Sequence, residues 1–304
     1  MPLVNTKKMF EEAYQNAYAV GSFNVDTLKM CQAVLLASEE AKSPVIIAFS
    51  EGSRDFMHPG NIKSLILEIS KNISIDFAIH LDHGRSVEAC KTAIDEGFTS
   101  VMIDASNYSY EENIKHTKEV VEYAHKHGVT VEGELGGLDA NGEASRFTDP
   151  KLVKDYVTRT GIDSLAVSVG TGHGTTKFKE NEKPDLKWNI LESIQKDLPG
   201  FPLVLHGSSS IPKQEVEIFN SYGGKIDNAV GIPEELLTRA AKMNVCKINI
   251  GTDFRVAYTG ALRQSLFEIK NHYEPRFFLA PAYKAIYDVV LYKEEKVFLS
   301  AKKD

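Results

Sequence analysis

Ile79-His80-Leu81-Asp82-His83-Gly84 is the stretch that decides the fold of this 304-residue chain. An apolar run of strand length ends here in a carboxylate, an imidazole and a glycine. Both polar side chains cost free energy in a protein interior unless they are paired. Two other apolar runs also lead to a histidine. Ser164–Gly170 precedes His173, and Pro202–Leu205 precedes His206. We therefore predict a site that the fold assembles from the ends of separate strands.

Eight short apolar runs alternate with amphipathic stretches along the sequence. The predicted strands are Val20–Val25, Pro44–Ser50, Asp76–Asp82, Ser100–Ala105, Thr130–Leu135, Ser164–Gly170, Pro202–His206 and Val245–Ile250. Nearly all are continuously apolar, which is typical of parallel strands covered on both faces. Between them, Ser86–Gly97 and Tyr110–Gly128 show helical periodicity and end at a glycine. The pattern predicts an α/β fold, the (β/α)8 TIM barrel, with a doubly wound open sheet as the alternative.

Length and composition fit a single barrel domain over residues 1–304, with a C-terminal helical extension over the aromatic and basic residues 273–304. The chain is 42% hydrophobic and carries a net charge of −7. This charge argues against a nucleic-acid partner, and the apolar runs are too short for a membrane span or a secretion signal. Three scattered cysteines, Cys31, Cys90 and Cys246, indicate buried free thiols in a reducing compartment. We expect a cytoplasmic protein.

Polar residues occupy the positions where a barrel's strands end and its side chains converge on one opening. These residues are Asn24, Asp82, His83, Asp104, Glu134, His173, His206 and Asn249. Singly, each has an ordinary interpretation as a helix cap or a hydrogen-bonded residue. Together they predict a catalytic metal site, with Zn²⁺ favoured over Co²⁺ and other late divalent ions. Because neighbouring side chains diverge on an extended strand, Asp82 is expected beside the metal rather than on it, and Gly84 is expected to turn the backbone away.

Glycine- and serine-rich turns follow the last three predicted strands. Gly170–Lys177, His206–Pro212 and Asn249–Arg255 supply backbone amides, hydroxyl groups and cations. The loops after strands seven and eight are where barrels often bind a phosphate, so we predict a phosphorylated substrate. The polar segment Gly136–Pro150 follows the fifth strand and is expected to act as a lid.

Several motifs resemble those of the class II, zinc-dependent fructose-bisphosphate and tagatose-bisphosphate aldolases. They are IHLDHG, FTSVMIDAS, VEGELG, GTGHG, PLVLHGSSSIP and KINIGTDFR, and the resemblance runs from Gly21 to Arg276. It implies reversible retro-aldol cleavage of a ketose 1,6-bisphosphate, fructose 1,6-bisphosphate first, to dihydroxyacetone phosphate and glyceraldehyde 3-phosphate in glycolysis. It also implies Zn²⁺, a monovalent cation (Na⁺ or K⁺) and a homodimer or homotetramer.

The resemblance further implies roles for individual residues. The metal ligands would be His83, His173 and His206, with Asp104 and Glu134 near an alternative metal position. Zn²⁺ would stabilise the enediolate as a Lewis acid, while Asp82 takes and returns the C4 hydroxyl proton. Glu143 of the lid, with Asp139 as the second candidate, would protonate the enediolate. Substrate contacts are expected at Asn24, Gly174, Lys177, Gly207, Ser209, Asn249 and Thr252, and at Arg255 for the second phosphate.

Two positions depart from the family's pattern, and they leave the identity of the sugar substrate undecided. Fructose-bisphosphate relatives carry Asp or Asn where this chain has Gly251, whereas tagatose-bisphosphate relatives carry Ala there and Lys in place of Arg255. Tagatose 1,6-bisphosphate or another ketose phosphate is therefore the alternative substrate. Two alternatives come from other classes. A barrel metallohydrolase would carry His-x-His on the first strand, which here reads Gly21–Asn24, and a non-catalytic sugar-phosphate-binding barrel would have lost Asp82 or a ligand histidine.

Overall fold

Eight parallel strands close into a barrel in this computed structural model, which describes residues 2–58, 60–138, 144–145, 147–172 and 184–302. The strands are β1 Val20–Asn24, β2 Val45–Phe49, β3 Phe77–Gly84, β4 Ser100–Ile103, β5 Thr130–Leu135, β6 Ser164–Val167, β7 Leu203–Leu205 and β8 Val245–Ile250. Each pairs with its neighbours in sequence, and β8 pairs with β1 to close the ring. A short antiparallel ribbon of Gly137–Leu138 and Ala144–Ser145 follows β5.

Helices connect the strands and cover the barrel. They are α1 Thr6–Asn16, α2 Leu28–Ala41, α3 Glu51–Phe56, α4 Ile62–Ile69, α5 Val87–Asp95, α6 Tyr110–Lys126, α7 Pro150–Thr160, α8 Trp188–Asp197, α9 Lys213–Ser221, α10 Glu234–Ala241, α11 Thr252–Glu268 and α12 Pro275–Tyr292. Side-chain caps set where some of them begin. Ser86 accepts the backbone N–H of Ala89 at the start of α5, and Ser109 forms a capping box with Glu112 at the start of α6. No helix of the described residues is both long and apolar enough to cross a membrane.

The inside of the barrel changes from apolar to polar along the strands. At the N-terminal end, Val20, Ile46 and Ala78 form a buried cluster with residues of α1, including Phe10, which covers this end. Alternate residues of a strand face the same side, so Ala78, His80 and Asp82 succeed one another along the interior. Polar side chains therefore collect at the C-terminal ends of the strands, where the sequence predicts the site.

The C-terminal segment packs on the chain's own barrel. Ile286 and Val290 of α12 are buried in the main core, and α12 continues into a π-helix over Lys293–Val297. The ring of Phe298 then lies 6.3 Å from that of Phe23 on β1. The predicted helical extension is confirmed; that residues 1–304 form one domain stays a prediction.

The structure confirms the predicted barrel and corrects details of its strands. The alternative of an open sheet is wrong, because β8 pairs with β1. β3 continues past Asp82 to Gly84, with a shift of register against β4, while β6 stops at Val167 and β7 stops before His206. The three cysteines are free and buried, as expected.

Candidate active site

Residues at the C-terminal ends of the strands line one cavity of about 210 Å³. Its walls are Asn24, Ser50, Asp82, His83, His206, Gly207, Ser209, Asn249, Gly251, Thr252 and Arg255. Nine of these eleven residues are among the predicted site residues. Ser50 was missed, although it follows the end of β2 just as the others follow their strands. The same rule of reading the residue after each strand would have found it.

Two amides hold the carboxylate of Asp82, which is buried at the end of β3. Asn24 Nδ2 donates to Asp82 Oδ2 at 2.6 Å, and Asn249 Nδ2 donates to Asp82 Oδ1 at 2.9 Å. Burial by itself raises the pKa of Asp82, but the nearby His206 and His83 lower it well below its ordinary range. Asp82 is therefore an ionised, oriented carboxylate.

His83 adopts a backbone conformation that changes the expected arrangement. Its φ of 50° is left-handed, which is uncommon for a residue with a Cβ atom. The chain is not extended here, so the expectation that the side chains of Asp82 and His83 diverge is wrong. Gly84 does not make the turn either. A Cβ atom at Gly84 would lie 2.7 Å from both Cys90 Sγ and Met102 O, so close packing explains this glycine.

Two acids from neighbouring strands face the His83 ring. Its Nδ1 lies 3.0 Å from Asp104 Oδ2 and 3.8 Å from Glu134 Oε2. Burial lowers the pKa of His83, but the Asp104 hydrogen bond and the charges of Asp82 and Glu134 raise it to about 9. A carboxylate at Nδ1 leaves Nε2 as the nitrogen for a metal.

The His206 ring contacts its carboxylate partner through Nε2, whereas the His83 ring does so through Nδ1. His206 Nε2 lies 2.7 Å from Glu132 Oε1, so Nε2 carries the proton and Nδ1 presents its lone pair. This Nδ1 lies 3.7 Å from Asp82 Oδ1 and 3.2 Å from Asn249 Nδ2. The His206 and His83 ring centroids are 4.6 Å apart. The structure thus brings together His83 of β3 and His206, which directly follows β7.

A buried ionic network below the site was missed by the sequence reasoning. Lys247 Nζ on β8 lies 2.7 Å from Glu132 Oε2 on β5 and 3.0 Å from His80 Nε2 on β3. Burial first, and then the charge of Lys247, lower the pKa of His80 to about 3. Burial raises the pKa of Glu132, but Lys247 and His206 lower it to about 2. The available signal was a polar residue at an inward position of each otherwise apolar strand.

The donor atoms fit a divalent metal. Asp82, His83 and His206 form one group of ligand atoms that all lie within 4.8 Å of one another, and His83, Asp104 and Glu134 form a second. Glu134 Oε2 is buried and has no hydrogen-bond partner among the described residues. Burial and the charge of Asp104 raise the pKa of Glu134 to about 8, which a cation in the second group would reverse. Imidazole and carboxylate are ligands of Zn²⁺ and other late divalent ions.

Opposite the metal donors, the loops after β7 and β8 meet. Thr252 N–H, at the start of α11, donates to Ser209 Oγ at 3.1 Å. Gly207 has a φ of 60°, and a Cβ atom there would lie 2.5 Å from the backbone of Gly172. Gly172 lies in the loop after β6, so only glycine at position 207 permits the loops after β6 and β7 to approach this closely.

At the outer end of the cavity, Arg255 Nε lies 3.4 Å from Asp26 Oδ2. Five predicted site residues, His173, Gly174, Lys177, Glu143 and the second candidate Asp139, lie outside the described residues.

The barrel and the donors at its rim fit the class of enzymes that work with a divalent metal. Comparison with known sequences then identifies the family. The profile described as "Fructose-bisphosphate aldolase class-II" matches residues 4–303. The chain belongs to the class II fructose-bisphosphate aldolase family.

Individual relatives agree over nearly the full chain. A fructose-bisphosphate aldolase of Treponema pallidum is 41% identical over 321 residues, covering 98% of this chain and 97% of the relative. One of Giardia intestinalis is 43% identical over 298 residues, covering 96% and 92%. Among solved structures, the YdjI aldolase from Escherichia coli K12 superposes with a TM-score of 0.79 at 30% identity, covering 98% of each chain.

Membership of the family confirms the predicted enzyme class. The chain is a metal-dependent aldolase, a carbon–carbon lyase whose family acts on phosphorylated sugars. The metallohydrolase and the non-catalytic barrel do not match this family.

Proposed function

We propose that this chain catalyses the reversible cleavage of fructose 1,6-bisphosphate to dihydroxyacetone phosphate and glyceraldehyde 3-phosphate, with Zn²⁺ as its metal. One observation carries the proposal: two amides orient the Asp82 carboxylate beside the imidazoles of His83 and His206. A base and a metal must act on adjacent oxygens of one sugar, and this arrangement places the carboxylate within 4.8 Å of the imidazole nitrogens that would hold the metal.

Asp82 is the proposed base for the C4 hydroxyl proton. Its carboxylate is ionised, and Asn24 and Asn249 each donate to one of its oxygens, so it cannot rotate away from the cavity. Loss of the C4 hydroxyl proton drives cleavage of the C3–C4 bond, and the same group returns the proton in the condensation direction. A bound divalent ion supplies Lewis-acid stabilisation of the electrons that the broken bond leaves behind.

The metal is proposed to be held by His83, His206 and His173, with Asp104 and Glu134 offering the alternative position. His83 belongs to both donor groups, which supports a metal that moves between them. Glu143 is the proposed second acid, with Asp139 as the second candidate.

Substrate phosphate is proposed to contact the loops that carry Gly207, Ser209 and Thr252, together with Gly174, Lys177 and Asn249. Asn24, which donates a hydrogen bond to Asp82, is proposed to contact the sugar too. Arg255 is the proposed partner of the second phosphate, since its guanidinium lies at the outer end of the same cavity.

Tagatose 1,6-bisphosphate is the second candidate substrate, and the open space beside Gly251 supports this candidate. A Cβ atom there would lie 3.4 Å from Asn24 Oδ1 and 3.7 Å from an Arg255 nitrogen. Because residue 251 is glycine, no side chain at this position fills the space next to Asn24. The two sugars differ in configuration at C4, the carbon whose hydroxyl Asp82 is proposed to deprotonate.

The deciding experiment compares kcat/KM for fructose and tagatose 1,6-bisphosphates on one sample with measured metal content. We expect zinc-dependent cleavage with fructose 1,6-bisphosphate preferred. A preference for the tagatose epimer would establish the second candidate. Turnover that resists a chelator, or trapping of the substrate by borohydride, would contradict the metal mechanism.

We also propose a cytoplasmic homodimer or homotetramer that uses Na⁺ or K⁺. Exposed apolar side chains at Leu266, Phe267 and Tyr273 support self-association. Light scattering would measure the assembly, and replacing Na⁺ and K⁺ by tetramethylammonium would test the cation requirement.

A further inference from the structure

The loop after β7 has a strained backbone. Ile211 has a φ of 52°, a left-handed conformation that is strongly disfavoured for a β-branched residue. Such a conformation persists only where surrounding contacts impose it. The same loop carries Gly207 and Ser209, which are proposed to contact phosphate.

Asp253 imposes the conformation of this loop. Its side chain has no exposure, and it accepts the backbone N–H of Ser210 at 3.1 Å and of Ile211 at 2.7 Å. The residue before it, Thr252, donates its backbone N–H to Ser209 Oγ. The loop is thus hydrogen-bonded to the first turn of α11 at three consecutive residues.

Asp253 is in turn held by a lysine from the far end of the chain. Lys293, the first residue of the C-terminal π-helix, is fully buried, and its Nζ lies 2.9 Å from Asp253 Oδ2 and 2.7 Å from Glu234 Oε1. It also contacts Ser210 Oγ. Burial of a lysine with two carboxylates is costly unless the geometry is closely matched, and single π-turns are frequent at functional sites.

The outer side of the loop faces a cavity. This cavity of about 480 Å³ is larger than the catalytic one and is lined by Ser210, Ile211, Glu234 and Lys293 among others. On this side the loop is held by the ionic cluster Lys293–Asp253–Glu234 and by the Ile232 backbone N–H, which donates to Ser209 O at 3.1 Å.

We propose that Lys293 is a positioning residue for phosphate binding, an inference that rests on the proposed function. Lys293 holds Asp253, and through Asp253 it holds the backbone of Ser209, Ser210 and Ile211 in the shape that receives the phosphate group. The C-terminal extension then sets substrate affinity from a distance, without touching the metal or the substrate.

The test measures phosphate binding without catalysis. Calorimetry with inorganic phosphate compares the zinc-loaded protein with Lys293→Met and Lys293→Gln, and uses Lys296→Met in the same π-helix as the matched control. Lys296 is exposed, and its ion-pair partner within the described part of the chain is Glu295. We expect phosphate affinity to fall about tenfold or more in Lys293→Met, the loss expected from charge-assisted hydrogen bonds, with no change in the control. Lys293→Gln keeps one donor and should lose less.

Kinetics and metal content separate positioning from general damage. For fructose 1,6-bisphosphate, KM should rise in parallel with the loss of phosphate affinity, while kcat changes less than about threefold and bound metal is retained. If Lys293→Met does not fold by circular dichroism, the same comparison on Lys293→Gln decides. Unchanged phosphate affinity in a folded variant, or no phosphate binding by the parent protein, would overturn the proposal. Failure to cleave either bisphosphate would instead contradict the proposed function, since the binding measurement requires no turnover.

Discussion

The metal side of the active site and its outer end are built in different ways. On the metal side, Asp82 is 8% exposed and is hydrogen-bonded to two amides, and His206 contacts the buried Glu132. At the outer end, Arg255 is 46% exposed and is paired with Asp26 at 3.4 Å. The proposed chemistry therefore depends on groups that buried partners fix in place. The proposed recognition of the far end of the sugar depends on exposed groups that can change with little cost to the fold.

The strongest test of the metal side removes a ligand. His206→Ala deletes the imidazole that lies within 4.8 Å of the donors of Asp82 and His83, so metal and cleavage activity should be lost together. We expect metal affinity to fall by more than about 100-fold. Removing a residue that only hydrogen-bonds to a metal ligand costs up to about that factor, so removing the ligand itself should cost more. Metal analysis and a cleavage assay measure both. His125→Ala, at an exposed histidine, is the control, and full activity in a metal-free variant would refute the assignment.

Removal of the base should separate chemistry from metal binding. Asp82→Ala should keep the metal on the histidines and lower kcat by about 100-fold or more, the contribution of a positioned acid–base group. Asp82→Asn should behave alike, because its amide cannot accept the proton. Single-turnover cleavage with metal content measured in parallel checks this. A rate near that of the parent protein would dismiss Asp82 as the base.

The sequence predicts the metal side well because its residues follow the strand ends. In a barrel the end of each parallel strand faces one opening, so Asp82, Asp104, Glu134 and His206 could be placed without coordinates. The local turn at His83 could not. Its left-handed φ coincides with the register shift between β3 and β4, and no local residue pattern requires either.

The supporting network was also beyond sequence reasoning. Glu132, Lys247 and His80 lie on three different strands, and their contact depends on the register of β5 and β8 around the closed barrel. A single polar residue within an apolar strand does not reveal its partner. Likewise, nothing in the sequence near Ser209 indicates that the loop depends on Lys293, more than 80 residues later.

The contribution of the buried Glu132–Lys247–His80 network to metal binding can also be tested. Glu132→Gln removes the charge that fixes the His206 ring and leaves Lys247 buried without its carboxylate. Metal affinity should fall by about 10- to 100-fold, as for other carboxylate partners of metal-binding histidines. Competition with a chelating dye measures the affinity. Glu119→Gln, which breaks the exposed pair with Lys91, should leave it unchanged; an equal loss in both variants would assign the effect to net charge.

His80 gives the buried network a pH signature. Its pKa is about 3 in the fold against an ordinary 6.5, so the unfolded chain binds one more proton between these values. His80 therefore contributes a loss of stability of about 1.4 kcal/mol per pH unit as pH falls below 6.5. Glu134, whose raised pKa of about 8 keeps it protonated in the fold, contributes in the opposite direction over the same range. His80→Gln should remove only the His80 contribution, so between pH 6.5 and 5 the stability of the variant should rise relative to the parent protein by about 1.4 kcal/mol for each pH unit that the pH falls. Urea unfolding with a chelator present measures it; an unchanged slope in the variant would place the effect elsewhere.

The outer end should give the smallest effects. Arg255→Lys loses the planar guanidinium that suits a phosphate, and because the side chain is half exposed we expect KM for fructose 1,6-bisphosphate to rise about three- to fivefold. KM for fructose 1-phosphate should not change, since that sugar lacks the second phosphate. Asp26→Asn should act in the opposite direction, because it frees Arg255 from its carboxylate partner. Steady-state kinetics on both sugars measure the two variants. A fall in kcat as large as that of Asp82→Ala would show that the outer end takes part in the chemistry and would erase the distinction between the two regions.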